Sequence, residues 1–433
     1  MKNTPAKNAI WIISGKIIQS LLGLVVSMLS ARYLGPSNYG LINYAASVVA
    51  FVIPVMQLGF RSTLVQEFVE YPDQEGETLG TALLLNVLSS LACIVGVIAF
   101  VRIANPHETT TYLVCFLYSL NLIFQALEMI QYWFQAKLMA QYIATASLFA
   151  YIFVSAYKIY LLFSAKSVYW FAVSQVLDYL VIAAILTFVY YRLGGPPMTF
   201  SWKCAKRMFL RSRHYIISAM MVTIFQQTDR LMLKMMMDDA ATGYYSAAVS
   251  CAGLSSFVFG AIIDSMRPVI LEAKRSSNAD FVVQMRRLYA IIFYLSLLQC
   301  LFMTIFASPI IWILFGAEYA PAVPALMVGV WYVTYSYFGA VRNVWILAEG
   351  KQKYLWIINL CGATMNVILN LMLIPLCGLI GAAIASLVTQ FFANFLLGFI
   401  VKPIRDCNRI MLQSMHPCCA LQMARELIQM KRS

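Results

Sequence analysis

Residues 355–400 read LWIINLCGATMNVILNLMLIPLCGLIGAAIASLVTQFFANFLLGFI and contain no charged side chain. One helix needs about 20 consecutive apolar residues to cross the roughly 30 Å of hydrocarbon in a bilayer. The stretch is about twice as long as that, and Pro375 and Gly378 stand near its middle. We therefore predict two consecutive transmembrane helices here, near residues 354–376 and 378–400.

Apolar segments of this kind recur along the whole chain of 433 residues, of which 61% are hydrophobic and only 11% are charged. One soluble core could not bury so much apolar surface, and the alternation typical of a transmembrane β-barrel is absent. The predicted fold class is an all-α integral membrane protein with about 12 transmembrane helices in two six-helix bundles around a central cavity. The other predicted spans lie near residues 10–31, 41–60, 79–101, 110–135, 141–163, 168–191, 214–237, 241–266, 288–315 and 322–348.

Lysine and arginine are unevenly distributed among the segments that join these spans. If the N-terminus is cytoplasmic, 23 of the 31 fall on the cytoplasmic side, 3 on the outside and 5 within spans. The positive-inside rule then predicts that both the N and C termini are cytoplasmic. The same rule explains the net charge of +13 without a nucleic-acid partner. Because the first apolar segment lacks a cleavage site, we expect it to remain as the first helix.

The longest polar interruption is a basic segment that separates the predicted spans into two equal sets. The two halves are weakly alike, since Gly40 and Gly243 each open the second helix of their half. A parallel repeat of this kind favours rocking of the halves about a central cavity, which is alternating access. The predicted domains are an N-terminal six-helix bundle (1–191), a basic cytoplasmic linker (192–213), a C-terminal six-helix bundle (214–400) and a cytoplasmic tail (401–433).

Charged side chains within the spans are the strongest candidates for function, since each costs about 2.5 kcal/mol or more at mid-bilayer unless it is paired or hydrated. Arg230 and Lys234 are four residues apart and share one helix face, which favours an anionic ligand. The alternative is that each cation pairs with a carboxylate of a neighbouring helix or extends to the interface. The predicted cargo-binding cations of the cavity are Arg230, Lys16, Lys234, Arg342 and Lys158.

Carboxylates within the spans suggest coupling to an ion gradient, because a carboxyl group in a low-dielectric site can load and release a proton. Structural ion pairing is the alternative for each of them. We expect no organic cofactor, only a proton or sodium gradient. The candidates for ion coupling are Asp178, Asp264 and Asp229.

Motifs of catalysis and of metal binding are missing from the sequence. There is no phosphate-binding loop, and His107, His214 and His416 are too widely separated to suggest a catalytic or metal group. His416 with Cys418 and Cys419 lacks any usual zinc spacing. We therefore expect a protein that is not an enzyme and has no metal site.

Four stretches of the chain form recognisable motifs. They are ARYLGPSNYGLINYAASVVAFVIPVMQLGF (31–60), QQTDRLML (226–233), LFGAEYAPAVPALMVG (314–329) and NVILNLMLIPLCGLIGAAIASLVTQ (366–390). These stretches resemble the polysaccharide-transporter branch of the multidrug/oligosaccharidyl-lipid/polysaccharide flippase superfamily, most strongly the Wzx-type flippases of O-antigen or capsule repeat units. The resemblance covers roughly residues 5–400.

The resemblance implies a flippase that moves undecaprenyl-pyrophosphate-linked oligosaccharide repeat units across the bacterial inner membrane. It implies ion-coupled alternating access, as in an antiporter. The units would serve O-antigen (lipopolysaccharide), capsule or exopolysaccharide synthesis. Arg230 is the strongest cargo contact that the resemblance implies. The implied partners are the lipid-linked oligosaccharide, membrane lipids, a polysaccharide polymerase and a chain-length regulator. Two alternatives stay open: a multidrug or toxin extruder of the same superfamily, and a membrane polysaccharide polymerase, which usually carries a large outside loop.

Overall fold

The computed structural model describes the backbone of residues 5–416 and the side chains of residues 23–416. Within these residues the chain forms α-helices joined by short turns, and it contains no strand. The helices are α1 (Pro5–Met56), α2 (Leu64–Glu70), α3 (Glu75–Ala104), α4 (Thr109–Ser119), α5 (Asn121–Leu127), α6 (Gln131–Ala136), α7 (Ala140–Phe163), α8 (Val168–Arg192), α9 (Trp202–Met236), α10 (Asp239–Ala252), α11 (Ser256–Ser276), α12 (Asn278–Ile305), α13 (Ala307–Phe315), α14 (Ala322–Ala348), α15 (Leu355–Phe391), α16 (Leu397–Ile400) and α17 (Arg405–Ser414).

Seven helical stretches of the described chain are long and apolar enough to cross a membrane, and the bent pair α10 and α11, with an angle of 45°, would make eight. The chain is therefore a multi-pass membrane protein, and the predicted all-α membrane fold class is confirmed. Two of the seven stretches, Gly23–Met56 and Gln352–Ile400, each contain a break in the helix. The count of twelve spans and the cytoplasmic location of the termini stay predictions.

Both breaks occur at a glycine with a positive φ. Gly35, which precedes Pro36, has φ 70° and ψ 171°, and Gly378 has φ 57° and ψ −133°. Glycine adopts such angles readily because it has no Cβ. The break at Gly378 divides the uncharged stretch where the sequence predicts the boundary between two spans.

The chain divides into two compact units, unit 1 ending at Gly243 and unit 2 beginning at Tyr244. Unit 1 contains α1 to α9, the division falls within α10, and unit 2 contains α11 to α17. Helix α9 begins at Trp202, so the second half of the predicted linker is helical. The division into two six-helix bundles joined at residues 192–213 stays a prediction.

Two arginines of the basic segment at residues 192–213 connect it to α2 within unit 1. The carboxylate of Glu67, whose side chain is fully buried, lies 3.2 Å from Arg207 Nε and 3.0 Å from Arg211 Nη1. The Arg207 guanidinium also lies over the ring of Tyr71, 4.0 Å from its centroid. These contacts hold the first turns of α9 in a defined position against α2.

Candidate ligand cavity

A cavity of about 300 Å³ lies among α1, α4, α7 and α8 of unit 1. Helical spacing brings its lining side chains together. Tyr151, Ser155 and Lys158 line it from α7 at positions i, i+4 and i+7, which share one helix face. Phe171 and Asp178, seven residues apart on α8, line it in the same way.

Helix α1 contributes to this cavity from both sides of its break at Gly35. Ser27 lines the cavity before the break, and Tyr39 and Asn43 line it after the break. The hydroxyl groups of Ser27 and Tyr39 are 3.2 Å apart, so a hydrogen bond joins the two parts of α1 at the cavity wall. The break therefore lets two consecutive helical segments present polar groups to the same space.

Six polar side chains that line the cavity form no hydrogen bond or ion pair with other described residues. Some other polar groups of the wall are satisfied locally, since Ser30 Oγ donates to Val26 O at 2.7 Å and Ser174 Oγ to Phe171 O at 2.6 Å. Polar groups inside native proteins nearly always have a partner, either protein or water. The cavity therefore offers hydrogen-bonding capacity to a ligand or to water. The six are Tyr118, Tyr151, Ser155, Lys158, Gln175 and Asp178.

Two opposite charges, on Lys158 and Asp178, face this cavity. They interact electrostatically, but the ion pairs of the described chain do not include one between them. Each group thus keeps its capacity for a charge-assisted hydrogen bond, which is stronger than a neutral one. Within unit 1 the structure brings one predicted cargo-binding cation and one predicted ion-coupling carboxylate to the same space.

A chain of hydrogen bonds connects Arg230 to the wall of this cavity. Its Nη1 donates to Gln227 Oε1 at 3.1 Å, and the same oxygen accepts from Ser47 Oγ of α1 at 3.1 Å. Ser47 Oγ also lies 2.9 Å from the carbonyl oxygen of Asn43, which lines the cavity. A third predicted residue is therefore a neighbour of this site.

Lys234 is buried and held by two carboxylates. Its Nζ lies 2.6 Å from Glu108 Oε2 and 2.9 Å from Asp239 Oδ2. Thr111 Oγ1 donates to the same Glu108 oxygen at 2.6 Å. Desolvation raises the pKa of Glu108, but the hydrogen bonds from Lys234 and Thr111 outweigh it and hold this pKa below the usual range. These contacts fit the ion-pair alternative, and a role of Lys234 in cargo binding stays a prediction.

Replacing Glu108 with alanine should destabilise unit 1 by about 1–3 kcal/mol, because buried Lys234 loses one of its two acceptors. A double-mutant cycle with Lys234→Met, measured by thermal unfolding of the detergent-solubilised protein, should give a favourable coupling free energy between Glu108 and Lys234. Since the folded-state pKa of Glu108 is lowered, this coupling is present above the unfolded-state pKa. The coupling should be lost as the pH falls through the lowered pKa of Glu108 in the folded state. Additive effects of the two substitutions would contradict the pairing.

Arg342 is the most deeply buried of the predicted cations whose side chains the structure describes, with 3% of its surface exposed. Its Nη1 donates to Ala393 O at 2.8 Å and its Nη2 to Asn394 Oδ1 at 2.9 Å, both in the π-helical segment Phe392–Leu396. Its Nε is buried and has no hydrogen-bond partner among the described residues. Neutral acceptors of its own unit therefore hold this guanidinium, and its role in cargo binding stays a prediction.

The other predicted site residues differ in their surroundings. Asp264 is exposed and lies 3.0 Å from Arg267 one helical turn later. Asp229 is buried on α9. The side chain of Lys16 lies outside the described residues. The predicted roles of these three residues in ion coupling or cargo binding stay predictions.

The uncharged polar residues of the cavity are not identified by a search for buried charges. Tyr118, Tyr151, Ser155 and Gln175 cost too little in a membrane helix to stand out singly. The available signal is their spacing, because Tyr151, Ser155 and Lys158 form a polar stripe on an otherwise apolar span. A hydroxyl stripe in line with a buried charge is therefore the pattern that could have predicted this site.

The structure is that of a multi-pass helical membrane protein with a polar cavity, and comparison with known sequences gives its family. A model of the polysaccharide biosynthesis protein family matches residues 6–274, so the chain belongs to that family. The match confirms the family resemblance, and the first two of the four quoted stretches lie within the matched residues. An uncharacterised membrane protein of Methanocaldococcus jannaschii is 26% identical over 230 residues, which span 49% of this chain and 44% of that curated relative.

Two solved structures share the fold. The inward closed conformation of the lipid II flippase MurJ has a TM-score of 0.69 and 17% identity, covering 93% of this chain and 90% of that one. An inward-facing multidrug resistance MATE family transporter of the MOP superfamily has a TM-score of 0.66 and 14% identity, covering 92% and 96%. At such low identities these similarities establish the fold alone.

Proposed function

We propose that this protein is a flippase that moves undecaprenyl-pyrophosphate-linked oligosaccharide repeat units from the cytoplasmic to the periplasmic leaflet of the bacterial inner membrane. Membership of a polysaccharide biosynthesis family and a fold shared with transporters support this proposal. The units would serve O-antigen, capsule or exopolysaccharide synthesis. A polysaccharide polymerase and a chain-length regulator are the expected protein partners.

The observation that carries the proposal is the cavity in unit 1, with six polar side chains that form no hydrogen bond or ion pair with other described residues. Lipid cannot hydrogen-bond these groups, so the cavity favours a polar ligand or water. Moving such a guest across the bilayer requires no covalent step. The positive charge of Arg230 beside the cavity favours a cargo that also carries phosphate.

Alternating access coupled to a proton or sodium gradient is the mechanism we propose. Asp178 is the best placed of the three predicted coupling carboxylates, because it faces the cavity that the cargo would enter. Asp264 is exposed with Arg267 beside it, which favours a local ion pair instead. Rocking of two six-helix halves about the linker remains part of this proposal.

A multidrug or toxin extruder is the second candidate, and the fold shared with the MATE family transporter favours it. Such a transporter would use Asp178 to attract a cationic drug. Lys158 in the same cavity opposes that use, since it repels a cation. The match to the polysaccharide biosynthesis family also favours the flippase.

Deletion of the gene in its own host tests the proposal. We expect surface polysaccharide to disappear and complete undecaprenyl-linked repeat units to accumulate on the cytoplasmic side, and re-expression of the gene should restore the surface polymer. The measurements are surface polymer and the leaflet location of the lipid-linked units. Single units in the periplasm with only polymer missing would identify a polymerase. No change in either quantity would favour the extruder.

A further inference from the structure

We propose that the cavity of unit 1 is a saccharide subsite, which binds a sugar of the cargo and does not bind its pyrophosphate. The inference rests on the proposed flippase function and makes it more specific. It assigns the sugar and the phosphate parts of one cargo to different places in unit 1.

The charges of the cavity argue against pyrophosphate. A bound pyrophosphate diester is strongly anionic, and proteins usually hold such groups with several cations at once. Among the described residues Lys158 is the cation that lines the cavity, and Asp178 offsets its charge and would repel phosphate oxygens. A neutral sugar meets no such conflict, since the carboxylate accepts from sugar hydroxyls and the ammonium group donates to them.

The uncharged polar groups match the chemistry of a sugar. Gln175 has both donor and acceptor atoms, and the hydroxyls of Tyr118, Tyr151 and Ser155 can each donate and accept. Sugar hydroxyls have the same double capacity. A site built from such groups discriminates strongly against a ligand that leaves them unpaired.

Aromatic rings in the wall would contact the C–H faces of a sugar ring. Phe171 lines the cavity, and its ring stacks on Tyr33 with centroids 5.7 Å apart. Tyr39 is held through its hydroxyl by Ser27 at 3.2 Å. Because these rings are fixed without a ligand, binding would lose little side-chain entropy.

The size of the cavity sets what it can hold. About 300 Å³ is the lower end of the range for ligand pockets, roughly 300–1,000 Å³. That space suits a sugar ring and not a whole lipid-linked repeat unit. The pyrophosphate would then lie outside the cavity, where Arg230, which donates to Gln227 Oε1 at 3.1 Å, is a nearby cation.

Two substitutions and two lipid probes test this assignment. Gln175→Leu and Tyr151→Phe each remove hydrogen-bonding groups from the cavity with little change in volume. Tyr160→Phe is the matched control, because Tyr160 lies on the same helix with 59% of its surface exposed. Binding is measured in lipid nanodiscs with the lipid-linked repeat unit extracted from the host and with undecaprenyl pyrophosphate, which carries no sugar.

We expect Gln175→Leu and Tyr151→Phe to weaken binding of the repeat unit roughly fivefold to tenfold and to leave binding of undecaprenyl pyrophosphate unchanged. Tyr160→Phe should change neither. Equal weakening of both probes would overturn the assignment in favour of a phosphate site, and unchanged binding of both would show that the cavity is not a cargo site. If the wild-type protein binds neither probe, the proposed function itself fails. Two variants keep the test valid if one of them does not fold.

Discussion

Replacing Lys158 with methionine is expected to lower export of the repeat unit at least about tenfold while the protein inserts and accumulates normally. The Lys158 side chain lines the cavity and forms no ion pair with other described residues. Methionine nearly preserves its length but removes three donors and the charge. A hydrogen bond to a charged group contributes about 1.5–3 kcal/mol, which corresponds to a tenfold to roughly hundredfold change. The measurement is surface polysaccharide in the complemented deletion strain, normalised to the protein in the membrane.

Two further variants separate this effect from a general loss of charge. Lys166→Met removes an exposed lysine between α7 and α8 and should leave export unchanged. Lys158→Arg keeps the charge with a different donor geometry and should retain part of the export. Full surface polysaccharide in Lys158→Met at native expression would contradict a role of this residue in binding cargo.

Gly40→Val is expected to lower the free energy of unfolding of the protein by about 3 kcal/mol or more. A Cβ at position 40 would collide with the carbonyl oxygen of Asp239 and lie 2.7 Å from the amide nitrogen of Gly243. A Cβ at Gly243 would in turn collide with the carbonyl oxygen of Pro36. These neighbours are backbone atoms, so no side chain can rotate away to make room. Thermal unfolding of the solubilised protein, followed by size-exclusion chromatography, measures the effect.

Gly96→Val is the matched control for this prediction. Gly96 lies within α3, and nothing lies within 4 Å of a Cβ built on it. Valine there should change the unfolding temperature little, since open space surrounds the added atoms. If Gly40→Val unfolds at the same temperature as Gly96→Val, the close approach of the backbones at Gly40 is not a feature of the protein in solution.

Much of the fold follows from composition. The uncharged stretch predicts two spans with a boundary near Gly378, and the break in α15 occurs there, because a glycine with positive φ interrupts the helix. The sequence also predicts that Gly40 and Gly243 each open a helix, whereas α10 begins earlier, at Asp239, and the break in α1 lies at Gly35. It cannot show that these two glycines contact each other, since that depends on packing between segments some two hundred residues apart.

The candidate site could be predicted only in part. Lys158 and Asp178 are recognisable because a charge is costly in lipid, but their common cavity depends on how α7 and α8 pack. Lys234 looks identical to Lys158 in the sequence, yet two carboxylates hold it. One of these, Glu108, belongs to a turn 126 residues away. Spacing along one helix therefore cannot distinguish a cation kept for a ligand from a cation used to hold helices together.

The surroundings of Arg342 constrain the order in which the protein can be assembled during synthesis. Its acceptors at residues 393 and 394 follow it by 51 and 52 positions, so the ribosome completes α14 well before these oxygens exist. Arg342 lies near the C-terminal end of α14, and an unpaired arginine in an apolar environment is costly. We therefore expect α14 to remain beside the translocon or near the interface until the π-helical segment arrives. Helix α14 and the last helices of unit 2 would then enter the lipid together.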